Sequence, residues 1–340
     1  MLPAGAGRNR PAAGDSRQAA CDHGLDGGPL LRRALLAASA STRIRDFLTT
    51  TPVARGVVAR YVAGETADDA LATAWQLAEA GILVSLDYLG EETTSPDQAA
   101  AVTQEYVVLL RRLASAGLAA GGRCEVSVKP TAVGLGLPEH GEKTAAENIS
   151  LICSAARDAG TTVTLDMEDH SQVDATLRLV AGLRGEFGDL GCVIQANLRR
   201  SLGDCRALTA AGSRVRLCKG AYRTPESIAY ASRADVDRSY ARCLAILLRG
   251  PGYPMLATHD PRLIALAGSV AAVAGREPGS FEYQMLYGIR PAEQQRLASA
   301  GARVRIYVPY GTDWYGYLVR RLAERPANLA LFLRSLTSRR

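Results

Sequence analysis

Eight short apolar runs, rich in β-branched residues, recur at intervals of about 30 residues, the length of one strand-helix unit in an eightfold barrel. The segments between them carry helix punctuation, with Pro96, Pro261 and Pro291 at starts and glycines at ends. Near-continuous apolar strands separated by helices predict a parallel sheet covered by helices. The pattern favours an α/β (βα)8 TIM-type barrel, with a doubly wound sheet as the alternative. The runs are 82–86, 124–128, 162–165, 191–194, 215–217, 254–257, 281–285 and 304–307.

The regions outside the repeats define the domain organisation. Residues 1–28 are rich in Gly, Ala, Arg and Asp without periodic apolar positions, which predicts a flexible tail. Apolar stripes that include Leu31, Leu35, Leu71 and Leu77 predict flanking helices over 29–80. The barrel is then expected over 81–340.

Composition excludes several classes of protein. The 340 residues are 47% hydrophobic, enough for one large barrel, and the net charge of +6 is spread without a dense basic run. We therefore expect no nucleic-acid partner. Seven cysteines form an odd set without a CxxC pair, which indicates reduced thiols and a cytoplasmic location. No apolar stretch is long enough to span a bilayer, so any membrane contact is expected to be peripheral.

Polar residues stand where the predicted strands end, and in a barrel of this type the active site lies there. A structural salt bridge, for instance Lys129 with Asp166, is an equal explanation for any single residue. Their convergence on one rim favours a site, and several donors and cations suit a large cofactor that carries phosphates. Gly220 removes side-chain bulk where such a cofactor approaches the backbone. The residues at the rim are Lys129, Asp166, Met167, Gln195, Arg216, Lys219, Thr258, His259, Gln284 and Tyr307.

The last predicted strand feeds a helix that carries Arg320 and Arg321 among several aromatic residues. Tyr307 and Tyr317 are suited to walling an apolar ring while the two arginines hold a carboxylate. This segment predicts a small cyclic or apolar amino acid or acid as ligand.

Other chemistries lack support. No GxGxxG motif follows the first strand, no serine lies in a GxSxG motif, and the four histidines lack the spacing of zinc ligands. Glu168 and Asp169 are interpreted as structural, because acidic residues at a strand-to-helix turn are usually caps.

Seven sequence blocks resemble the proline dehydrogenases, especially the monofunctional bacterial form, and they cover most of the chain beyond about residue 30. The resemblance implies a distorted βα barrel that binds FAD and oxidises L-proline to Δ1-pyrroline-5-carboxylate. In that chemistry a hydride passes from the ring carbon beside nitrogen to flavin N5, and the electrons pass to a membrane quinone, in the first step of proline catabolism. The blocks are SVKP (127–130), TLDMED (164–169), VIQA (193–196), VRLCKGAY (215–222), ATHD (257–260), FEYQMLYGIR (281–290) and the stretch 305–321.

The resemblance also implies roles for individual residues. Arg216 matches the arginine beside flavin N5, and Asp166 matches the active-site aspartate. Groups that bind the substrate carboxylate are matched by Lys129, Arg320 and Arg321. Residues that enclose the proline ring are matched by Tyr222, Leu286, Tyr307 and Tyr317. Further FAD contacts are matched by Met167, Gln195, Lys219, Gly220, Ala221, Thr258 and His259.

Two positions depart from the family pattern. Asn197 stands where a tyrosine is usual, next to Gln195, so flavin affinity or redox potential is expected to differ unless strand alternation points it away. His170 replaces a small residue after the acidic turn.

Two other functions stay open at the level of sequence. One is an aldolase that forms a Schiff base on Lys129 or Lys219. The other is a flavin or amino-acid sensor without catalysis. The sequence also leaves open proline against hydroxyproline, although Tyr317 favours proline. Basic residues of the tail are hypothesised to touch anionic lipid and bring the enzyme near its quinone; they are Arg8, Arg10 and Arg17.

Overall fold

A closed barrel of eight parallel strands, in chain order, forms the centre of the computed structural model, which describes residues 56, 58–90, 93–222 and 224–323. Strand β1 pairs with both β2 and β8, and this pairing closes the sheet. The predicted (βα)8 barrel is confirmed, and the doubly wound alternative is wrong. The strands are β1 (Leu83–Tyr88), β2 (Cys124–Val128), β3 (Val163–Leu165), β4 (Gly191–Gln195), β5 (Arg214–Cys218), β6 (Tyr253–Ala257), β7 (Glu282–Leu286) and β8 (Val304–Tyr310).

Helices cover the outside of the barrel, and their starts follow local capping chemistry. Thr66 and Ser95 each form a capping box at a helix start, and Asp260 caps the helix that begins at Pro261. The helices are α1 (Ala67–Glu79), α2 (Pro96–Ser115), α3 (Gly141–Ala159), α4 (Val173–Leu183), α5 (Ser201–Ala210), α6 (Arg233–Arg249), α7 (Pro261–Val273), α8 (Pro291–Ser299) and α9 (Trp314–Ala323).

Some predictions fall beyond the described part of the chain. The tail at 1–28, with Arg8, Arg10 and Arg17, lies outside it. The first part of the predicted helical region, residues 29–55, also lies outside it. The domain boundaries therefore stay a prediction. Within the described ranges no helix is long and apolar enough to cross a bilayer.

The two faces of the strands differ in polarity. Val84, Leu86 and Ile306 are fully buried in the apolar core that the helices cover. The alternate residues on most strands are polar, and Arg216 of β5 touches Ser85 of β1, a strand that is not its neighbour. Such a contact crosses the barrel interior. The expectation of near-continuous apolar strands is thus correct for the outer face only, because the inner face holds buried polar side chains.

A large cavity of about 810 Å³ opens at the amino ends of the strands. Arginines that line this cavity have a structural role, since helices end at this side of the barrel. Arg276, for example, donates to Leu247 O, Leu248 O and Gly250 O at the end of α6. We therefore assign the candidate site to the opposite, carboxyl end of the strands, where the family motifs lie.

Candidate active site

Asp166, which follows β3, is the hub of the polar centre at the carboxyl end. Its Oδ1 accepts hydrogen bonds from Ser127 Oγ at 2.9 Å and Arg216 Nη1 at 2.6 Å, and its Oδ2 accepts one from the Tyr307 hydroxyl at 2.7 Å. Burial raises the pKa of Tyr307 well above its ordinary value, and the carboxylates of Asp166 and Asp87 add to this. Tyr307 is therefore a neutral donor. The contacts fix one carboxylate against residues from β2, β5 and β8.

Arg216 is only 4% exposed, and each of its N–H groups has an acceptor. Nε donates to Gln284 Oε1 at 2.5 Å, and Nη1 donates to Ser127 and Asp166. Nη2 donates to Ser85 Oγ at 3.1 Å and Glu125 Oε1 at 3.3 Å. With its donors engaged, Arg216 acts in this arrangement as a fixed positive charge rather than as a donor to a ligand.

Lys129 follows β2 and forms an ion pair with Asp87 of β1, a carboxylate with no solvent exposure. Burial by itself lowers the pKa of Lys129, but the charges of Asp87 and Asp166 outweigh it, so the pKa is raised. The amine therefore stays an ammonium ion. Asp87 was not among the predicted site residues, although Ser85 and Asp87 are polar residues two positions apart inside an apolar strand.

Hydrogen bonds to the backbone hold the side chains of Gln195 and His259 in place. Gln195 Nε2 donates to Met167 O at 3.1 Å and to Glu168 O at 2.6 Å, which fixes the amide at the end of β4. His259 Nε2 accepts from the Leu286 backbone N–H at 2.9 Å. The neutral ring of His259 then carries its proton on Nδ1.

Gly220 has φ +97°, a conformation that side chains rarely adopt, and it lies directly against Asn197. A Cβ at Gly220 would stand 2.1 Å from Asn197 Oδ1. That oxygen is buried and has no hydrogen-bond partner in the described part of the chain. Asn197, which departs from the family pattern, thus faces Gly220, a residue predicted to touch the cofactor.

Lys219 belongs to a surface salt-bridge cluster with Asp237, Asp260 and Arg262. Lys219 Nζ lies 2.5 Å from Asp237 Oδ1 and 3.2 Å from Asp260 Oδ2. Thr258 Oγ1 accepts the Asp260 N–H at 3.1 Å, so it is joined to the same turn, while Ala221 is exposed. The positive charge of Lys219 is therefore largely offset by the protein itself.

The residues predicted to enclose a ring are only partly brought together. Leu286 packs on the apolar cluster that contains buried Tyr317 at the start of α9. Tyr222 is 40% exposed. The side chains of Arg320 and Arg321 lie outside the described part of the chain, so their predicted grip on a carboxylate stays a prediction.

The acidic turn after Asp166 is structural, as expected. Glu168 accepts from the Thr131 N–H at 3.0 Å and from Thr131 Oγ1 at 2.7 Å. Asp169 accepts from the Ser171 N–H and caps a short 3-10 helix, and His170 Nδ1 lies 3.2 Å from Asp169. No group of three metal-ligating residues occurs in the ranges that the structure describes.

The fold and this centre of carboxylate, guanidinium and phenol define a (βα)8-barrel enzyme. The family model for proline dehydrogenase matches residues 70–333. Proline dehydrogenase of Deinococcus radiodurans is 40% identical over 279 residues, which are 82% of this chain and 89% of that protein. Proline dehydrogenase 1 of Bacillus subtilis is 38% identical over 277 residues, with the same two coverages. The chain therefore belongs to the proline dehydrogenase family, and it is an oxidoreductase.

Solved structures agree with this assignment. Proline utilization A from Bdellovibrio bacteriovorus, a structure inactivated by N-propargylglycine, superposes with a TM-score of 0.74 at 28% identity. The superposition covers 84% of this chain but only 34% of that longer protein. The likeness thus concerns one part of the larger enzyme.

Proposed function

We propose that this protein is an FAD-dependent proline dehydrogenase that oxidises L-proline to Δ1-pyrroline-5-carboxylate. The proline ring carbon beside nitrogen loses a hydride, the nitrogen lone pair forms the new C=N bond, and the nitrogen releases its proton to solvent. A quinone finally receives the electrons. The bound flavin would supply the hydride acceptor, its N5 atom. The observation that carries the proposal is the fixed cluster of Asp166, Arg216 and Tyr307, with Lys129 beside it, at the carboxyl end of the barrel.

The substrate carboxylate would meet the ammonium of Lys129, joined by Arg320 and Arg321. Asp87 restrains Lys129 and offsets part of its charge, so the lysine orients an anion without binding it excessively. Tyr222, Leu286, Tyr307 and Tyr317 would enclose the ring. Fixing both the carboxylate and the ring places the donor carbon at one position, which is how such a site accelerates hydride transfer.

The described residues fit a flavin in two respects. Gly220 has no side chain and lies beside the buried Oδ1 of Asn197, which has no hydrogen-bond partner among the described residues and is an acceptor suited to a polar ring edge or ribose hydroxyl. His259, which follows β6, has its ring held by the hydrogen bond from the Leu286 N–H to its Nε2, and a fixed ring at this strand end would contact the cofactor. Met167, Gln195, Lys219, Ala221 and Thr258 would complete the FAD site.

Asp166 and Arg216 would be the catalytic pair. Arg216 would place its fixed positive charge near the position where negative charge develops on the reduced cofactor. Asp166 accepts three hydrogen bonds and holds Arg216 and Tyr307 in one geometry. Neither role needs a covalent bond to the substrate.

The aldolase alternative conflicts with the acidic surroundings of both lysines, Lys129 and Lys219. A Schiff base requires a neutral amine, but the charges of Asp87 and Asp166 outweigh the effect of burial and raise the pKa of Lys129. Lys219 is held between two carboxylates. A non-catalytic sensor would have no use for the buried arrangement around Arg216.

The test is an absorbance spectrum of the purified protein before and after anaerobic addition of L-proline. We expect a flavin spectrum that bleaches with L-proline and does not change with D-proline. Lys129→Met should bleach only at much higher proline concentration, whereas exposed Lys143→Met should match the parent protein. Bound flavin that L-proline does not bleach, or no flavin after FAD is added, would refute the proposal.

A further inference from the structure

Six charged side chains of alternating sign extend through the barrel interior below the candidate active site. We call this set the charge ladder. It connects the carboxyl end of the barrel with its amino end, and its ion pairs include Arg216 with Glu125 at 3.3 Å and Arg305 with Glu282 at 2.7 Å. Its members, in the order of their ion pairs, are Asp166, Arg216, Glu125, Arg305 and Glu282, with Arg214 as a second partner of Glu125.

Glu125 of β2 lies at the middle of the ladder with no solvent exposure. Its Oε1 accepts from Ser85 Oγ at 3.1 Å and Thr164 Oγ1 at 3.2 Å, in addition to Arg216. Its Oε2 accepts from Arg214 Nη2 at 2.8 Å and from Thr162 Oγ1 at 3.0 Å. A carboxylate whose two oxygens accept hydrogen bonds from three strands, β1, β3 and β5, is held rigidly.

Glu125 is also ionised. Burial by itself raises its pKa, but the guanidiniums of Arg305, Arg214 and Arg216 outweigh burial and hold the pKa well below its ordinary value. A full negative charge therefore lies beneath Arg216, on the side opposite the position proposed for the cofactor. It attracts the guanidinium into the barrel and offsets part of its positive field.

We propose that Glu125 is a positioning residue of the dehydrogenase, which holds Arg216 from below and thereby lowers the potential at which the bound flavin is reduced. This inference rests on the proposed function. Reduced flavin is anionic near neutral pH, so a stronger positive field from Arg216 favours the reduced form, and a weaker field disfavours it. Glu125 acts through Arg216 and touches neither substrate nor cofactor.

The test is the midpoint potential of the bound flavin in Glu125→Gln. We expect its reduction equilibrium constant to rise at least tenfold, which is about 30 mV for a two-electron couple, with little change in the KM for proline. Glu142→Gln is the matched control, because Glu142 is on the surface and pairs with Arg178. A purely structural role of Glu125 would lower thermal stability and leave the potential unchanged.

A second variant covers the case in which Glu125→Gln does not fold, since it leaves three buried arginines undercompensated. Glu125→Gln with Arg214→Gln removes one charge of each sign. Because Arg214 bonds the oxygen of Glu125 that is remote from Arg216, we expect a smaller shift of the same sign.

Different results would refute the role of Glu125 and the proposed function. If the flavin of the parent protein bleaches with L-proline but the midpoint potential is unchanged or lower in both variants, the role of Glu125 alone is overturned. Parent protein without reducible flavin overturns the proposed function and, with it, this inference.

Discussion

Replacing Gly220 by alanine should destabilise the protein for two separable reasons. The left-handed φ of +97° costs a residue with a side chain roughly 1–2 kcal/mol. The new Cβ would also stand 2.1 Å from Asn197 Oδ1, and overpacking of this kind costs about 1–3 kcal/mol. We therefore expect Gly220→Ala to lower the free energy of unfolding by about 2–5 kcal/mol, measured by urea titration.

A double-mutant cycle separates the two costs. Asn197→Ala in the Gly220→Ala background should restore about 1–3 kcal/mol, because it removes the overlapping side chain and leaves only the backbone strain. Gly117→Ala is the matched control: Gly117 has φ +67° and open space where its Cβ would lie. Equal losses in Gly220→Ala and Gly117→Ala, or no recovery in the double variant, would refute this explanation.

Three further predictions concern charge and exposure. Lys129→Gln should raise the KM for proline about tenfold, equivalent to about 1.4 kcal/mol of lost binding, in steady-state assays. Burial raises the pKa of Cys153 and Cys192 to about 12, so both should resist a thiol reagent at pH 8 until urea unfolds the chain. The hydrogen bond from Arg262 holds the pKa of Asp260 below its ordinary value, so its contribution to stability is full above about pH 4 and is lost as pH falls further. Asp260→Asn should therefore flatten the decline in unfolding free energy between about pH 4 and pH 2.

The barrel was predictable because its signal is periodic and local. The predicted runs at 124–128, 191–194 and 304–307 fall within or coincide with observed strands, and Ser95 and Asp260 cap helices that begin with proline. Alternating strands and helices at one spacing leave few topologies. The eighth strand extends to Tyr310, beyond the predicted end, because Pro309 and Tyr310 still pair with β1 at the barrel edge.

The inner face of the barrel was not predictable from apolar runs alone. Asp166, Arg216 and Tyr307 were found because they lie in motifs at strand ends, but Glu125 and Asp87 were missed. A polar residue at every second position of most strands was the available signal. It does not show which side chains meet, since Arg216 and Glu125 are 91 positions apart and become neighbours only when the barrel closes.

The balance of charge inside the barrel indicates what these residues are for. The described interior pairs four acids with four bases, so no charge is left without an opposite neighbour; they are Asp87, Glu125, Asp166, Glu282, Lys129, Arg214, Arg216 and Arg305. Buried ion pairs contribute little to stability compared with apolar residues of similar size, and removing one partner is costly. Stability alone therefore gives no reason to fill a barrel with charge. A neutral, rigid network beneath Asp166 and Arg216 does give the proposed hydride transfer a fixed electrostatic field, because its dipoles need not reorganise as charge moves onto the cofactor.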